Sequence, residues 1–285
     1  MIRACVVGDP ISHSRSPLVH NFWLAELGIE GVYEARRVTA GELPDFLDAL
    51  SRNGYRGCNV TLPHKESVAR LVERTTDLSR ALGAVNTLWL APDGRLHGDN
   101  TDVYGFLANL DQEAPDWRRR TKVALILGAG GAARAVLLAL LSRGVREIKI
   151  ANRTLERAIR LTAGQHPGVE ALPLERIEAA LADVDLLVNT TQLGMVGQPK
   201  HAFSLAPLKA GALVNDIVYV PLETELMGQA RLHGHQTIGG LGMLLHQAVP
   251  GFERWFGKRP KVTPALYRHI AADISATRAG PGRAT

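Results

Sequence analysis

The amino-acid sequence predicts an α/β protein built from two domains. Its 285 residues exceed the roughly 150 that one domain commonly takes. Strand-like and helix-like segments alternate along most of the chain, which is the pattern of sheets covered by helices. Apolar residues make up 46% and charged residues 21% of the chain. These proportions are ordinary for a globular protein and exclude a fibrous repeat.

The first hundred residues predict a mixed α/β domain. Gly28 ends a predicted helix, and the turn residues at 91–94 predict a hairpin between two short strands. Pro63 is placed in the first turn of a predicted helix, where proline is tolerated. The predicted strands are 4–8, 32–38, 56–60, 85–90 and 95–98, and the predicted helices are 17–27, 43–51, 63–73 and 102–110.

The remaining chain predicts a second domain with a βαβαβ order. The polar segment 111–120 contains Pro115 and ends in three arginines, which predicts a solvated connector. A continuous apolar strand follows it, as in a parallel sheet that is buried on both faces. The tail 279–285 is expected to be disordered. The predicted strands are 122–127, 147–151, 185–189 and 212–217, and the predicted helices are 131–143, 155–163, one from Leu241 toward Trp255 and one after Pro264.

A glycine-rich turn follows the first strand of this second domain. Gly128, Gly130 and Ala133 occupy the three positions of the G-x-G-x-x-[GA] fingerprint, between a buried-type strand and a helix. The first glycine permits a tight turn, and the second lets the backbone approach a pyrophosphate at the helix N-terminus. The pattern predicts a Rossmann-type, doubly wound dinucleotide-binding domain. A glycine-rich turn without a ligand is the alternative.

The end of the next strand indicates which dinucleotide is bound. An NAD site usually carries Asp or Glu there to bind the ribose hydroxyls, whereas this strand ends in Asn152. Asn152 and Thr154 can hydrogen-bond phosphate oxygens, and Arg153 and Arg157 can neutralise phosphate charge. A 2′-phosphate suits these groups, so the sequence favours NADP. Asn152 and Thr154 could instead serve only as strand-end and helix-cap residues.

Two charged residues of the first domain are candidates for proton transfer. Lys65 falls in the first turn of a helix, where the helix dipole disfavours a cation, and Asp102 also begins a helix. A Lys–Asp pair can hold a lysine that transfers a proton, as reduction of a carbonyl requires. Taken alone, Lys65 could be a surface lysine and Asp102 a carboxylate that stabilises its helix. Ser14 and Ser16 could bind a carboxylate or cap a helix.

Charge and cysteine content narrow the function classes. The net charge of +5 is modest, and aromatic residues at 5% are too few to suggest a base-stacking surface. Nucleic acid is therefore not an expected partner. Two cysteines do not make a disulfide framework, and the histidines form no metal-ligand pattern. No apolar run approaches membrane-spanning length, and the N-terminus reads as a strand, so the protein is expected to be soluble and cytoplasmic.

Several ordered motifs resemble those of the shikimate dehydrogenase family, over about residues 3–257. The motifs are Ser14-Arg15-Ser16-Pro17, Asn59-Val60-Thr61, Pro63-His64-Lys65, Gly83-Ala84-Val85-Asn86-Thr87, Gly98-Asp99-Asn100-Thr101-Asp102, Gly128–Ala132, Asn152-Arg153-Thr154, the segment from Asp216 to Thr224, and Gly239–Gln247. Ile217 stands where methionine is frequent in that family, which keeps an apolar wall.

The resemblance implies roles for individual residues. Lys65 would be the catalytic lysine and Asp102 its partner, with Ser14 and Ser16 on the substrate carboxylate. Thr61, Lys65, Asn86 and Asp102 would contact ring hydroxyls, and Tyr219 and Gln247 would complete the substrate site. The cofactor-binding residues would be Asp77, Gly128, Ala129, Gly130, Gly131, Ala132, Asn152, Arg153, Thr154, Arg157, Ile217, Gly240 and Met243.

The resemblance also implies an activity and a domain division. The enzyme would be an NADP-dependent alcohol dehydrogenase that reversibly reduces 3-dehydroshikimate to shikimate, on the way to chorismate and the aromatic amino acids. It would bind no metal and act as a monomer or homodimer. Residues 1–103 and 241–278 would form the substrate domain, and 104–240 the NADP domain. A quinate/shikimate dehydrogenase of dual specificity and a non-catalytic NADP-binding regulator are the alternatives.

Overall fold

The computed structural model describes residues 1–278, and the tail predicted to be disordered, 279–285, lies outside them. The chain divides into two compact units. Of the described residues, the first unit consists of Met1–Gly105 and Leu245–Ile270, and the second consists of Phe106–Leu244 and residues 271–278. The domain ends predicted at residues 103 and 240 stay a proposal.

The first unit contains a six-stranded mixed sheet in the order β2-β1-β3-β5-β6-β4. Strand β1 is parallel to β2 and β3, whereas β5 is antiparallel to β3 and β6. The strands are β1 (Ile2–Gly8), β2 (Gly31–Arg37), β3 (Tyr55–Val60), β4 (Arg74–Thr75), β5 (Thr87–Leu90) and β6 (Leu96–Asp99). The helices are α1 (Ser16–Glu26), α2 (Leu43–Asp48), α3 (Lys65–Leu71) and α4 (Asp77–Leu82). Helix α5 (Asp102–Glu113) begins in this unit, and its residues from Phe106 onward belong to the second.

Apolar side chains of alternate strand positions form the core of the first unit. Cys5 and Val7 of β1 pack with Leu47 of α2 and Val68 of α3 in one buried cluster. Cys58 is the register partner of Cys5, and both are free and buried. Both thiols therefore serve as core side chains. A hydrogen bond with Cys58, together with burial, raises the pKa of the Cys5 thiol.

The second unit contains six parallel strands in the order β12-β11-β10-β7-β8-β9. The strands are β7 (Val123–Leu127), β8 (Glu147–Asn152), β9 (Val169–Pro173), β10 (Leu186–Asn189), β11 (Leu213–Asp216) and β12 (Gln236–Gly239). The helices of this unit are α6 (Trp117–Arg120), α7 (Gly131–Ser142), α8 (Leu155–Thr162), α9 (Ile177–Ala180) and α10 (Glu225–Leu232). Helix α11 (Leu241–Phe256) belongs to the first unit from Leu245 onward, and α12 (Pro264–Arg278) belongs to the first unit up to Ile270.

The parallel sheet has the burial that its apolar sequence predicts. Every residue of β7 and β10 is buried, as expected for central strands covered by helices on both faces. The predicted fold class, a mixed α/β unit together with a Rossmann-type unit, is therefore confirmed. Among residues 1–278, no helix combines the length and the apolar content that a bilayer crossing requires.

The predicted connector at 111–120 is wrong. Helix α5 continues to Glu113, and Trp117–Arg120 form a further helical turn. Trp117 is fully buried, and its indole Nε1 donates a hydrogen bond to Asp111 at 2.7 Å. The arginines are also held, since Arg120 donates to the carbonyl of Gly211 at 2.8 Å. One buried tryptophan anchors a segment whose composition is otherwise typical of a loop.

The predicted helix start at Pro63 is also wrong. Residues 62–64 form a turn, in which the His64 N–H bonds the Thr61 carbonyl at 3.0 Å, and α3 begins at Lys65. Short elements without a periodic pattern were not predicted. They include β4, α4, α6, β9, α9 and α10.

Candidate active site

Lys65 and Asp102 form an ion pair in the first unit. The chain leaves β3, turns through residues 61–64 and enters α3 at Lys65, while Asp102 opens α5 after β6. Because β3, β5 and β6 are neighbours in the sheet, the two helix starts come together. Lys65 Nζ lies 2.7 Å from Asp102 Oδ2, and the two side chains are 27% and 18% exposed. The pair is sheltered yet reachable by a small molecule.

Asn86 holds the second oxygen of the same carboxylate. Its Nδ2 donates to Asp102 Oδ1 at 2.8 Å, and its Oδ1 accepts from the Thr101 N–H at 2.9 Å. Asn100 helps to cap the start of α5, because its Oδ1 accepts the Asp102 N–H at 2.9 Å. Lysine, carboxylate and amide therefore converge within one hydrogen-bonded group.

The other predicted substrate residues of the first unit lie at element ends, except for Gln247, which lies within α11. Ser16 opens α1, and its N–H donates to Ser14 Oγ at 3.3 Å, a bond that uses a lone pair of Ser14 and leaves its proton to donate. Thr61 follows β3 directly, and its N–H bonds the Val7 carbonyl at 2.9 Å. Gln247 Oε1 lies 3.5 Å from Thr101 Oγ1.

The glycine-rich turn of the second unit has open space at the start of α7. Gly128 has φ +104°, and a Cβ there would lie 2.7 Å from Thr190 Oγ1, so glycine is required. At Gly130, the N-cap of α7, and at Gly131, a Cβ would meet no heavy atom of the described chain within 4 Å. A helix N-terminus with this free approach fits a pyrophosphate.

The end of β8 presents groups that suit a 2′-phosphate. Arg153, Thr154 and Arg157 are exposed, and Asn152 Nδ2 donates to the Thr154 carbonyl at 2.8 Å. Thr154 occupies the N-cap of α8, but its side chain makes no capping hydrogen bond within the described chain. The hydroxyl is therefore not committed to the helix, which favours a ligand role over simple capping.

A buried carboxylate orders the loop after β11. Asp216 Oδ1 accepts from Asn189 Nδ2 at 2.8 Å and from the Val218 N–H at 3.0 Å, and Asp216 Oδ2 accepts from Thr224 Oγ1 at 2.6 Å. Burial raises the pKa of Asp216 although these bonds oppose the rise. The loop carries the predicted site residues Ile217 and Tyr219.

Gly240 and Asp77 occupy different units. A Cβ on Gly240 would lie 2.0 Å from the Ile217 carbonyl oxygen, so the backbone there touches the loop that carries Ile217, and Met243 follows in α11. Asp77 belongs to the first unit, where it opens α4, is fully exposed and pairs with Arg80. The glycine-rich turn lies in the second unit.

Sequence reasoning assigned no catalytic or binding role to several buried polar residues. Asn59, Thr87 and Thr101 lie inside the quoted motifs and are at most 5% exposed, while Asp216 and Thr224 order the loop in the second unit. The sequence feature that could have pointed to such residues is a polar residue within a strand that also contains apolar residues, as at Asn59 and Asp216. Among the described residues, no group of three or more His, Cys, Asp or Glu side chains could hold a metal ion.

The second unit has the fold and the open turn of a dinucleotide-binding domain, and the first carries a Lys–Asp pair suited to proton transfer. The class is that of the dinucleotide-dependent dehydrogenases. Family models match the chain as "Shikimate dehydrogenase substrate binding domain" over residues 6–88, "Shikimate / quinate 5-dehydrogenase" over 111–203 and "Shikimate 5'-dehydrogenase C-terminal domain" over 240–265. The chain belongs to the shikimate dehydrogenase family.

Individual relatives are similar over nearly their whole length. The shikimate dehydrogenase (NADP(+)) of Methylobacterium radiotolerans is 55% identical over 276 residues, which cover 96% of this chain and 98% of the relative. A shikimate 5-dehydrogenase from Thermus thermophilus, solved with NADP(H) and shikimate, has a TM-score of 0.84 at 36% identity, covering 96% and 100%. A quinate dehydrogenase from Corynebacterium glutamicum, solved with NAD, has a TM-score of 0.86 at 31% identity, covering 95% and 99%.

Proposed function

We propose that this chain is a shikimate dehydrogenase that reversibly reduces the C3 carbonyl of 3-dehydroshikimate to the hydroxyl of shikimate with NADPH. The product lies on the way to chorismate and the aromatic amino acids. The observation that carries the proposal is the 2.7 Å contact between Lys65 Nζ and Asp102 Oδ2. A lysine held in that way can give a proton to a carbonyl oxygen as it is reduced. The names of the relatives support the choice of substrate and cofactor.

Residues of the first unit would bind the substrate. Ser14 and Ser16 would donate hydroxyl protons to its carboxylate, because a charged acceptor makes the stronger bond. Thr61, Asn86 and Asp102 would contact ring hydroxyls, and Asn86 and Asp102 are already hydrogen-bonded to each other. Tyr219 and Gln247 would complete the set. These contacts would orient the ring so that C3 faces the reacting groups.

Lys65 would move the proton. NADP, when bound, supplies the hydride chemistry, as cofactors generally do in such enzymes. Lys65, or a water it holds, would protonate the oxygen of the reduced carbonyl and would accept that proton in the oxidation of shikimate. Asp102 would keep Lys65 aimed at the oxygen through their ion pair. The cofactor would therefore supply the hydride, and residues of the chain would bind the substrate and transfer the proton.

The second unit would hold NADP. The turn from Gly128 through Ala129, Gly130, Gly131 and Ala132 would receive the pyrophosphate, where open space lies beside the start of α7. The 2′-phosphate would lie at the end of β8 against Asn152, Arg153, Thr154 and Arg157. Ile217, Gly240 and Met243 would lie beside the nicotinamide. Asp77 would be a further cofactor-binding residue.

A steady-state assay tests the proposal. Oxidation of shikimate is measured with NADP and then NAD, and the pair of measurements is repeated with quinate. We expect shikimate with NADP to give the highest kcat/KM. The structural similarity to a quinate dehydrogenase solved with NAD makes dual specificity the second candidate, and comparable turnover of quinate would favour it. Binding of NADP without turnover of either substrate would indicate a regulator and overturn the proposal.

We also propose that the protein acts in the cytoplasm, as a monomer or homodimer, with residues 1–103 and 241–278 as its substrate domain and 104–240 as its NADP domain. Sedimentation of the purified protein reports the oligomeric state. Expression of residues 104–240 alone, followed by measurement of NADP binding, tests the domain division. Failure of that fragment to bind NADP while the full chain binds it would contradict the division.

A further inference from the structure

Two buried polar side chains lie behind the Lys65–Asp102 pair and have no role in the function proposed above. Asn59 lies in β3 and Thr87 opens β5, and they are 5% and 1% exposed. A polar group at that depth is costly unless it is hydrogen-bonded. The partners of Asn59 and Thr87 therefore show what these side chains hold in place.

The amide of Asn59 has one possible orientation. Its Nδ2 lies 3.1 Å from the carbonyl oxygen of Asn86, and because a carbonyl only accepts, the NH₂ group must face it. The Oδ1 of Asn59 then faces the Tyr33 hydroxyl, which donates to it at 2.6 Å. The NH₂ group also lies 3.1 Å from Thr87 Oγ1. Asn59 is therefore a donor to Thr87.

The amide of Asn86 is fixed by the same reasoning. Its Oδ1 accepts the backbone N–H of Thr101 at 2.9 Å, and an N–H only donates. The Thr101 hydroxyl lies 3.1 Å from the same oxygen. Thr87 Oγ1 lies 2.9 Å from it as well. Thr87 Oγ1 also lies 3.2 Å from Thr101 Oγ1. Because an amide oxygen only accepts, the shorter contact with Asn86 Oδ1 takes the single proton of Thr87.

The bonds form one directed chain that ends on the carboxylate. Tyr33 donates to Asn59, Asn59 to Thr87, Thr87 to Asn86 and Asn86 to Asp102 Oδ1. Lys65 donates to the other oxygen, Oδ2. Bonds that point in one direction polarise each other, and each fixes the orientation of the next. The chain presents an amide NH₂ group, and not its carbonyl, to Asp102.

We propose that Asn59 and Thr87 are positioning residues for proton transfer, which act through Asn86 to hold the Asp102 carboxylate in the orientation that grips Lys65. This inference rests on the proposed function, in which Lys65 moves the proton. Asn59 and Thr87 would contribute nothing to the chemistry directly. Their effect would be on the geometry of the pair, where small displacements are costly to the rate.

Thr87→Val is the principal test, because it removes one hydroxyl and nearly preserves volume. Thr87→Ser restores the hydroxyl. Thr121→Val is the matched control, since Thr121 is a buried threonine of the second unit that donates to the Trp117 carbonyl at 2.8 Å. Each variant is assayed for kcat and KM with shikimate across pH, for shikimate Kd without cofactor and for Tm.

We expect Thr87→Val to lower kcat by about 10-fold to 100-fold and to displace the pH profile of kcat. Thr87→Ser should recover most of the loss. Thr121→Val should lower Tm by a similar amount and leave kcat and its pH profile as in the wild type. If Thr87→Val matched Thr121→Val in all these measurements, or if Thr87→Ser were as impaired as Thr87→Val, the positioning role would be wrong.

A chemical measurement separates this inference from the proposed function. Acetic anhydride acylates lysines, and mass spectrometry gives the rate at Lys65 in the same variants at fixed pH. We expect Thr87→Val to acylate faster at Lys65 than the wild type, because the ammonium is held less firmly. An unchanged rate would overturn the inference even in an active enzyme. A wild type that fails to oxidise shikimate would overturn the proposed function, and the acylation rates would still decide the inference.

Asn59→Leu gives an independent second variant. If Asn59 and Thr87 act in one chain, Asn59→Leu combined with Thr87→Val should lose little more kcat than the greater single loss. If the fold losses in kcat of the two single variants multiplied in the double variant, the two residues would act separately. That result would contradict the proposed chain of hydrogen bonds. Should Asn59→Leu not fold, Asn59→Ser takes its place in the same cycle.

Discussion

Lys65 Nζ and Asp102 Oδ2 are 2.7 Å apart although 37 residues separate them in the chain. Each residue opens a helix, α3 and α5 respectively. A cation at a helix N-terminus is disfavoured by about 0.3–1 kcal/mol, whereas an anion is favoured there by a similar amount. The ion pair offsets the poor placement of Lys65 at the start of α3.

Replacement of Lys65 should abolish most turnover. Lys65→Ala removes a proton-transfer group that acts mainly in the transition state, so kcat should fall by roughly 10²–10⁴-fold while shikimate Kd changes little. Steady-state kinetics and calorimetry measure the two quantities. Lys209→Ala is the control, because Lys209 also pairs with an aspartate, Asp185, at 2.6 Å. A normal kcat with raised KM would make Lys65 a binding residue only.

The charge of Asp102 should matter more than its shape. Asp102→Asn keeps one acceptor but removes the charge that holds Lys65, so both kcat and KM should worsen and the pH profile of kcat should move. If Asp102 only stabilised its helix, the substitution would cost about 0.3–1 kcal/mol of stability and leave the kinetics alone. Asp45→Asn is the control, since Asp45 lies in the first turn of α2.

Cofactor preference should depend on Arg153. Arg153→Ala should raise the Kd of NADP far more than that of NAD, because only NADP has a 2′-phosphate for the guanidinium to pair with. Fluorescence titration with each cofactor gives both constants. Arg160→Ala, an exposed arginine in the last turn of α8, should affect neither. Equal weakening of NADP and NAD would mean that Arg153 acts on adenine or on folding.

A methyl group at Gly240 should disturb the loop after β11. Gly240→Ala would bring a Cβ within 2.0 Å of the Ile217 carbonyl oxygen, which is backbone and must shift. We expect a lower Tm and weaker NADP binding. At Gly228 in α10, the nearest atom to an added Cβ is Glu223 Oε1 at 4.0 Å, so Gly228→Ala should keep or raise Tm by helix propensity. If the two variants changed Tm and NADP binding equally, the close approach of Gly240 to the Ile217 carbonyl oxygen would not be the cause.

His20 should make the protein less stable in acid. Burial lowers the pKa of His20 from 6.5 to about 3, so the unfolded chain binds its proton first as the pH falls. The free energy of unfolding is therefore highest above pH 6.5. It falls as the pH drops toward 3, by up to about 1.4 kcal/mol per pH unit. His201, with its pKa lowered to about 4, adds to the effect.

Urea denaturation at several pH values measures this dependence. His20→Phe keeps an aromatic ring against Tyr33, whose centroid is 4.0 Å away, and should flatten the decline in unfolding free energy between about pH 6.5 and 4.5. His13→Gln alters an exposed histidine and should leave the decline unchanged. A decline that is equally steep in His20→Phe would show that other groups cause it.

The sequence by itself determined the α/β class and the glycine-rich turn at Gly128–Ala132, and it predicts a 2′-phosphate site at residues 152–157. These features follow from residues close together in the chain, such as a strand, a turn and a helix start, whose chemistry is local. The sequence also singled out Lys65 and Asp102 and predicted that they act as a pair. The short elements β4 and α4 were not predicted, because two to six residues are too few to show a period.

Only the tertiary structure decided which polar groups meet and in which direction their hydrogen bonds run. The pairing of β3 with β5 and of β5 with β6 places Asn59, Thr87 and Asn86 in line behind Asp102. Burial of Trp117 converts the predicted connector into helix. Neither follows from local pattern, because a side chain's hydrogen-bond partners are set by sheet register and by burial between residues distant in sequence.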